Sequence, residues 1–418
     1  MNGEMEHALI VLLTGGLILA TILIKWGLKK TAVPPLVGYL LIGAVLRFTA
    51  SGNGLLSDTT EGFLNALANI GVVVLLFRVG LDSNLQSLLG QFRKAWSIWL
   101  GNVLLSGILG YCTASWLLGW PLVTSLYTAV ALTATSLAVP VAVWRDVDAL
   151  DSPGGALLLD VAELDDLSAV LLMSLLFAVT PVLKQQNVAE LVPTLLQTGI
   201  WLLVKLLLFG GLCYLFSHMA ERPMTEFFIR IEPMPDPMLL LVATGFVFAA
   251  VAGLLGFSLA MGAFFAGLIF SRDPDAVRLE RPFIVIHDLF SPFFFISVGM
   301  NIAPDAVTVA VVPGLFLLVA AVAGKFFGTI TPAVPAIGRS EALLLSVSMI
   351  PRAEIAMIVM RHGRQFGSSA VSQEAFAAMV LVTAATCAAS PLVLRRLLVR
   401  LRQKDVPVDT PSQPTASD

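Results

Sequence analysis

The stretch Leu157-Leu-Leu-Asp160-Val-Ala-Glu163-Leu-Asp165-Asp166-Leu-Ser168-Ala-Val-Leu-Leu-Met-Ser-Leu-Leu176 decides the fold, because it places two adjacent carboxylates inside a long apolar segment. The segment follows Ser152 and Pro153, a capping residue and a residue that suits the first helical position. At about 1.5 Å rise per residue, Asp166 lies roughly 20 Å from Pro153, near the middle of a hydrocarbon layer about 30 Å thick. An ionised carboxylate there costs at least ~2.5 kcal/mol, so the stretch predicts an ion or proton pathway in a membrane helix.

The composition indicates an all-α polytopic membrane protein. The 418 residues are 57% hydrophobic and 13% charged, and the mean hydropathy is +0.89. We predict a transmembrane domain over residues 1–403, followed by a disordered, polar, proline-rich cytoplasmic tail over 404–418. The apolar pattern predicts about thirteen spans, near residues 7–28, 32–49, 61–80, 92–117, 121–143, 153–180, 189–218, 237–253, 255–271, 283–301, 306–332, 339–361 and 371–400.

The basic residues predict the orientation of these spans. With the N-terminus outside, the inside segments hold eighteen Lys and Arg, the outside segments hold four, and the spans hold three of the 25. This bias is the positive-inside pattern. The acidic N-terminus, with Glu4 and Glu6, differs from a cleaved signal peptide, so we expect the first span to be retained. The sequence predicts a bacterial-type inner-membrane protein with its C-terminus in the cytoplasm.

Short matches between distant spans predict an internal inverted repeat. The segment Gly38 to Gly43 matches Gly262 to Gly267, and Val79-Gly80 matches Val298-Gly299. In the predicted topology the matched spans cross in opposite directions, although chance similarity of apolar segments is the alternative explanation. The repeats cover about 32–180 and 255–400, with linking helices at about 189–253. Transporters of this design bind substrate at mid-membrane, where the repeats meet.

The fifth and twelfth spans each contain an interruption. Pro140 follows Thr133-Ala-Thr135-Ser136 in the fifth span, and Pro351 precedes Arg352-Ala-Glu354 in the twelfth. Proline removes a backbone donor and disfavours helix in the preceding residue. Broken helices at membrane depth survive only when they are buried or line a cavity. We therefore expect the two breaks to meet, with Arg352 and Glu354 compensating the charge of the helix ends.

Several side chains near these breaks predict an ion site. Asp166 is the candidate ion ligand and proton carrier, because burial disfavours its charged form unless a proton or cation neutralises it. Asp165 and Lys325 are the candidate ion pair, either opening with ion binding or static. The hydroxyls of Thr135 and Ser136 suit a hard cation, unless they bond only to the preceding helical turn.

Asp160, Glu163 and Asp166 are three residues apart and form an acidic track that predicts a cytoplasmic funnel for cations. The alternative for Asp160 is compensation of the helix N-terminus. No nucleotide loop, nucleophile motif or Cys/His metal pattern occurs in the sequence, so we expect no enzyme activity and no cofactor. The ligands expected instead are a proton and a small hard cation, and the resemblance described below implies transported Na⁺ or Li⁺ and H⁺. The net charge of −3 says nothing about nucleic acid, and we expect no nucleic-acid partner.

Taken together, these motifs resemble those of the cation/proton antiporters of the NapA and Kef type and, more distantly, NhaA. The resemblance spans residues of about 7–400. It is carried by Thr133-Ala-Thr135-Ser136, Asp165-Asp166, Phe294-Phe-Ile-Ser-Val-Gly299-Met300, Lys325 and Pro351-Arg352-Ala-Glu354.

The resemblance implies a homodimer in the lipid bilayer, an NhaA-like fold with two crossed unwound helices, and an elevator-like movement of a core domain. It implies ion binding at Asp166, pairing of Asp165 with Lys325, ion-site support from Thr135 and Ser136, and stabilisation of the crossing by Arg352 and Glu354. Kef-type members usually carry Gln-Asp in place of Asp-Asp and a nucleotide-binding tail, so the differences favour electrogenic sodium/proton exchange. The alternatives are potassium/proton antiport, sodium/organic-anion symport, and an uncoupled channel or sensor.

Overall fold

The computed structural model describes residues 3–29, 31, 33–50, 57–82, 85–136, 138–147, 149–150, 152–184, 188–216, 219, 237–255, 257–270, 280–302 and 304–405. Within these ranges the chain forms fifteen α-helices and no strand. Most of the predicted tail, residues 406–418, lies outside the described residues, as does much of the connection between the seventh and eighth predicted spans.

The helices follow the predicted apolar segments, except that the segments at 121–143 and 339–361 are each divided into two helices. The helices are α1 (Gly3–Leu28), α2 (Pro35–Ala50), α3 (Asp58–Asp82), α4 (Leu85–Cys112), α5 (Leu122–Thr133), α6 (Ala138–Asp146), α7 (Pro153–Lys184), α8 (Val188–Leu215), α9 (Pro237–Leu254), α10 (Leu259–Phe270), α11 (Glu280–Met300), α12 (Pro304–Ile337), α13 (Arg339–Ser348), α14 (Glu354–Gln365) and α15 (Gln373–Asp405).

Seven spans among the described residues are long and apolar enough to cross a membrane: Glu6–Leu28, Asp58–Leu81, Ala95–Leu117, Gly154–Lys184, Phe283–Met300, Thr308–Ile337 and Gln373–Leu401. The chain is therefore a multi-pass helical membrane protein. The count of thirteen spans and the orientation of the termini stay predictions.

Helices α2, α3, α10 and α11 pack together as a unit that we call the panel. Two pairs of glycines face each other across its helix crossings, Gly43 with Gly299 and Gly80 with Gly267. A Cβ atom on any of the four would come within 2.0–2.1 Å of a backbone carbonyl oxygen of the facing helix. Only glycine allows backbones to approach this closely, which is a common means of packing helices in membranes.

The two glycine pairs have the same geometry. In each case the Cβ would meet the carbonyl of the residue three positions before the partner glycine and the amide of the residue just after it. In the predicted inverted repeat, the second span (α2) corresponds to the ninth (α10), and the third span (α3) corresponds to the tenth (α11). Under this correspondence, the contact between α2 and α11 is equivalent to the contact between α10 and α3. The predicted inverted repeat pairs the same helices, and it stays a prediction.

Helices α4 to α7 and α12 to α15 form a second unit, which we call the bundle, around the long contact between α4 and α12. At that crossing, Cβ atoms on Gly101 and Gly328 would each lie 2.7 Å from the other residue's carbonyl oxygen. One turn away, Gly324 packs against the backbone of Ser106. This close crossing brings Asn102 and Lys325 into the same layer as the carboxylates of α7.

Candidate functional site

Asp165 is held by side chains from two other helices of the bundle. The Lys325 ammonium of α12 donates to Asp165 Oδ2 at 2.9 Å and to Oδ1 at 3.1 Å. The Asn102 amide of α4 donates to Oδ1 at 3.1 Å. All three side chains have no solvent-exposed surface. The structure therefore brings together the predicted pair of Asp165 and Lys325 in a fully buried ion pair.

The two interrupted helices meet beside this pair. Helix α5 ends at Thr133, and Ala134 is extended with ψ 142°. Helix α13 ends at Ser348, and α14 resumes at Glu354 after Ala353, whose φ and ψ are −145° and −101°. The backbone amide of Ser136 donates to the Pro351 carbonyl at 2.9 Å, so each break satisfies a backbone group of the other.

Buried cations bind the carbonyl ends of both broken helices. Lys325 donates to the Thr133 carbonyl, the last residue of α5, at 2.5 Å. Arg352 donates through Nη1 to the Met349 carbonyl at the end of α13, at 3.3 Å, and through Nη2 to the Ala321 carbonyl of α12, also at 3.3 Å. These positions complement the partial negative charge at helix C-termini. Arg352 is fully buried, as its predicted place at the crossing requires.

Glu354 is the first residue of α14, where a carboxylate complements the positive helix N-terminus. The Ser136 side chain lies close to Glu354 without reaching hydrogen-bond geometry. The Thr135 hydroxyl is buried and has no hydrogen-bond partner among the described residues. An oxygen of this kind is costly to bury alone and is available to a bound cation.

Asp166 differs from its neighbour in its surroundings. It retains 4% of its surface, and no described residue donates a hydrogen bond to its carboxylate. It interacts electrostatically with the acids Asp165, Glu163 and Glu354 and with Lys325. Three neighbouring acids act on Asp166, and Lys325 is already paired with Asp165, so additional positive charge at Asp166 would be stabilising.

Asp160 and Glu163 lie on α7, the helix that carries Asp165 and Asp166, and they are in its N-terminal half. Asp160 is buried and Glu163 is half-buried, and each interacts with neighbouring groups. Glu163 acts electrostatically on Asp166. The predicted funnel role of these two acids stays a prediction.

Asn102 is the residue of the site that sequence reasoning missed. A signal was present, because an asparagine in an apolar membrane helix needs a hydrogen-bond partner. The sequence alone does not reveal which of the many apolar helices supplies that partner. The close crossing of α4 and α12 supplies it.

A polar cavity of about 110 Å³ lies between the panel and the bundle, at the ends of α2, α14 and α11 and the starts of α3 and α15. Its lining residues are Arg47, Glu61, Asn65, Ser297, Met300, Asn301, Arg364 and Gln373. Beside it, Arg361 of α14 donates to Asn65 of α3 at 3.3 Å, which joins the bundle to the panel. Within the panel, Ser297 donates to the same Asn65 oxygen at 3.0 Å, and Arg47 pairs with Glu61 at 2.5 Å.

The arrangement can exchange one positive charge for another. Asp166 can be neutralised by a proton or by a small cation, and Thr135 and the backbone of the broken helices supply further oxygens nearby. Among the described residues, no three His, Cys, Asp or Glu side chains are grouped as a resident metal site would require.

Residues 16–400 match the profile of the family described as sodium/hydrogen exchanger, transmembrane. The chain belongs to this family of membrane cation/proton antiporters.

Individual relatives cover most of the chain. It is 25% identical over 388 residues to the high-affinity Na⁺/H⁺ antiporter NhaS3 of Synechocystis, covering 89% of this chain and 79% of that one. It is 25% identical to a Na⁺/H⁺ antiporter of Enterococcus hirae, covering 88% and 92%. It is 26% identical to the Na⁺/H⁺-K⁺ antiporter GerN of Bacillus cereus, covering 87% and 89%.

The fold is also similar to a solved structure. The sodium proton antiporter MjNhaP1 of Methanocaldococcus jannaschii superimposes with a TM-score of 0.68 and 15% sequence identity, over 96% of this chain and 99% of that one. At this identity the similarity concerns the fold alone.

Proposed function

We propose that this protein is a secondary active sodium/proton antiporter of the plasma membrane. The observation that carries the proposal is the buried pair of Asp165 and Lys325 beside Asp166, a carboxylate to which no described residue donates a hydrogen bond. Family membership and relatives named as Na⁺/H⁺ antiporters support the same activity.

In the proposed mechanism, a proton and a sodium ion compete for Asp166. Cation binding draws on both carboxylates, so Asp165 is released from Lys325, and Lys325 loses a proton on that side of the membrane. When the cation leaves, Lys325 and Asp166 take up protons again. Because two groups release protons for one cation, exchange is electrogenic.

Alternating access follows from the energy of the charged site. A site loaded with a cation or with protons is closer to neutral than bare carboxylates, so it crosses an apolar barrier at lower cost. We propose that the bundle carries the loaded site past the panel in an elevator-like movement. The homodimer, the outside N-terminus and the funnel role of Asp160 and Glu163 belong to the same proposal.

The test is cation uptake into proteoliposomes under an imposed pH gradient, with Na⁺, Li⁺ and K⁺ compared in parallel. Wild-type protein is expected to take up Na⁺ in exchange for H⁺, and Asp166→Asn is expected to abolish pH-dependent sodium flux. Unchanged exchange by Asp166→Asn would contradict the assignment of Asp166.

The same assay separates the other functions. Exchange of K⁺ with no response to Na⁺ would indicate a potassium/proton antiporter, an outcome of interest because the GerN relative is named for both ions. Cation flux that ignores the pH gradient would indicate a channel, and a requirement for an organic anion would indicate a symporter.

A further inference from the structure

We propose that Asn102 is a positioning residue of the exchange cycle, which holds the Asp165 carboxylate in place while Lys325 is released. This inference rests on the proposed function and adds a third member to the pair of Asp165 and Lys325. It concerns the part of the cycle in which a cation occupies the site.

The contacts divide the Asp165 carboxylate between two donors of different kinds. Oδ1 receives Lys325 and Asn102, both at 3.1 Å, whereas Oδ2 receives Lys325 at 2.9 Å. Lys325 is a cation that can lose its proton and move away from Asp165. The amide is neutral at every pH of interest and remains a donor throughout.

The position of Asn102 is fixed by the backbone rather than by the ion pair. It follows Gly101, whose close contact with Gly328 sets the distance between α4 and α12. Movement of the lysine side chain therefore leaves the Asn102 amide in place. A donor anchored in this way is preorganised for Asp165 without Lys325.

Packing alone does not account for an asparagine here. Its carbonyl oxygen is buried and has no hydrogen-bond partner among the described residues, so the amide is only half satisfied. A buried polar group without a partner is destabilising, and an apolar residue of similar size avoids that loss. The presence of the amide is therefore explained by the hydrogen bond that it donates to the Asp165 carboxylate.

The charged groups that act on this part of the site come from several elements. They are Lys325 of α12, Arg352 between α13 and α14, and Asp166 beside Asp165 on α7. When Lys325 is released, Asp165 loses two of its three hydrogen bonds. The Asn102 amide is the donor that remains, so it keeps the carboxylate oriented for the bound cation.

The experiment compares Asn102→Leu with wild-type protein in proteoliposomes across a range of Na⁺ concentrations. Loss of one hydrogen bond to a charged group is expected to raise the apparent KM for Na⁺ about tenfold near neutral pH. The maximal rate of exchange is expected to change much less than the KM, because the lost contact positions the carboxylate for cation binding. Asn102→Gln, which retains the amide donor, is expected to recover part of the affinity.

Ser106→Ala is the matched control, since Ser106 is also fully buried on α4, one turn along, and its hydroxyl makes no hydrogen bond among the described residues. It is expected to keep the wild-type KM for Na⁺. If Asn102→Leu fails to fold, Asn102→Ala tests the same loss of the donor without added bulk.

A wild-type KM for Na⁺ in the donor-free variant would overturn the role of Asn102 while leaving the antiporter proposal intact. An equal shift in Ser106→Ala would also overturn it, by indicating a general effect of packing. Absence of coupled Na⁺ uptake in the wild-type protein would instead overturn the proposed function.

Discussion

At the scale of single residues, the ion pair between Asp165 and Lys325 affects the free energy of folding. Burying two charges is costly, and their mutual attraction repays that cost only when the geometry and the remaining hydrogen bonds are good. Here the ammonium donates to both carboxylate oxygens and to the Thr133 carbonyl. Removing one partner leaves the other charge buried without compensation.

Lys325→Ala is therefore expected to destabilise the protein by about 3–5 kcal/mol, the usual cost of leaving one partner of a buried pair alone. The measurement is the thermal unfolding of purified protein in detergent. Removing the second charge as well, in Asp165→Asn with Lys325→Ala, is expected to recover part of the stability.

Lys205→Ala serves as the control for that experiment, because Lys205 is half-buried on α8, a helix outside the bundle. It is expected to change stability by no more than about 0.5 kcal/mol. A Lys325→Ala protein with wild-type unfolding temperature and wild-type proton coupling would contradict the importance of the pair.

Sequence predicts the pairing of Asp165 with Lys325 because so few charges fall within the spans that each restricts the choice of partner for the others. Asn102 was missed for the opposite reason. A neutral amide has many acceptable partners in a helical bundle, and the crossing of α4 and α12 that selects Asp165 depends on glycines whose facing positions the sequence does not reveal.

At the scale of elements, the breaks in the helices can be predicted from the sequence, whereas the glycine contacts cannot. Pro140 and Pro351 locate the interruptions, since proline restricts the backbone whatever surrounds it. The bond from Ser136 to Pro351 depends instead on tertiary packing. The glycines appeared in the sequence only as short matches, and their pairing across α2 and α11, or α3 and α10, needed the structure.

Gly299→Ala is expected to destabilise the panel by roughly 1–3 kcal/mol, as overpacking usually does. The added Cβ would lie 2.1 Å from the Leu40 carbonyl oxygen and 2.9 Å from the Ala44 amide nitrogen, and neither backbone atom can move independently of its helix. The predicted readout is a lower unfolding temperature in detergent. Gly267→Ala is expected to behave alike, since the Phe77 carbonyl lies 2.1 Å from its Cβ position.

The matched control is Gly15→Ala in α1, where nothing lies within 4 Å of the added Cβ. Alanine favours helix over glycine by about 1 kcal/mol, so this substitution is expected to be neutral or stabilising. Equal effects at Gly15 and Gly299 would show that helix propensity, and not the close crossing, determines the outcome.

For the whole molecule, the structure separates the panel, which contains the two matched glycine pairs, from the bundle, which contains Asp165, Asp166 and Lys325. The described side chains that bind Asp165 belong to the bundle, so a movement of this unit would keep them together. Contacts between the two units include the bond from Ser174 of α7 to Met261 of α10 and the bond from Arg361 of α14 to Asn65 of α3. Each of these two contacts is a single hydrogen bond between side chains.

If the bundle moves against the panel, a covalent link between them is expected to stop transport. Arg361 and Asn65, which contact each other beside the polar cavity, are suitable positions for a cysteine pair. With the native Cys112, Cys213 and Cys387 replaced by serine, a reducible bifunctional thiol reagent is expected to link the Asn65→Cys, Arg361→Cys protein. Sodium/proton exchange in proteoliposomes is expected to fall at least tenfold and to return on reduction.

A link within the panel provides the comparison. Arg47 of α2 and Glu61 of α3 pair at 2.5 Å beside the same cavity, so Arg47→Cys with Glu61→Cys exposes a second cysteine pair to the same reagent. Because both helices belong to one unit, that link is expected to leave exchange largely intact. Mass spectrometry establishes that each link has formed. Full exchange by protein linked between Asn65→Cys and Arg361→Cys would show that transport needs no relative movement of α3 and α14, and the elevator-like movement would then be excluded.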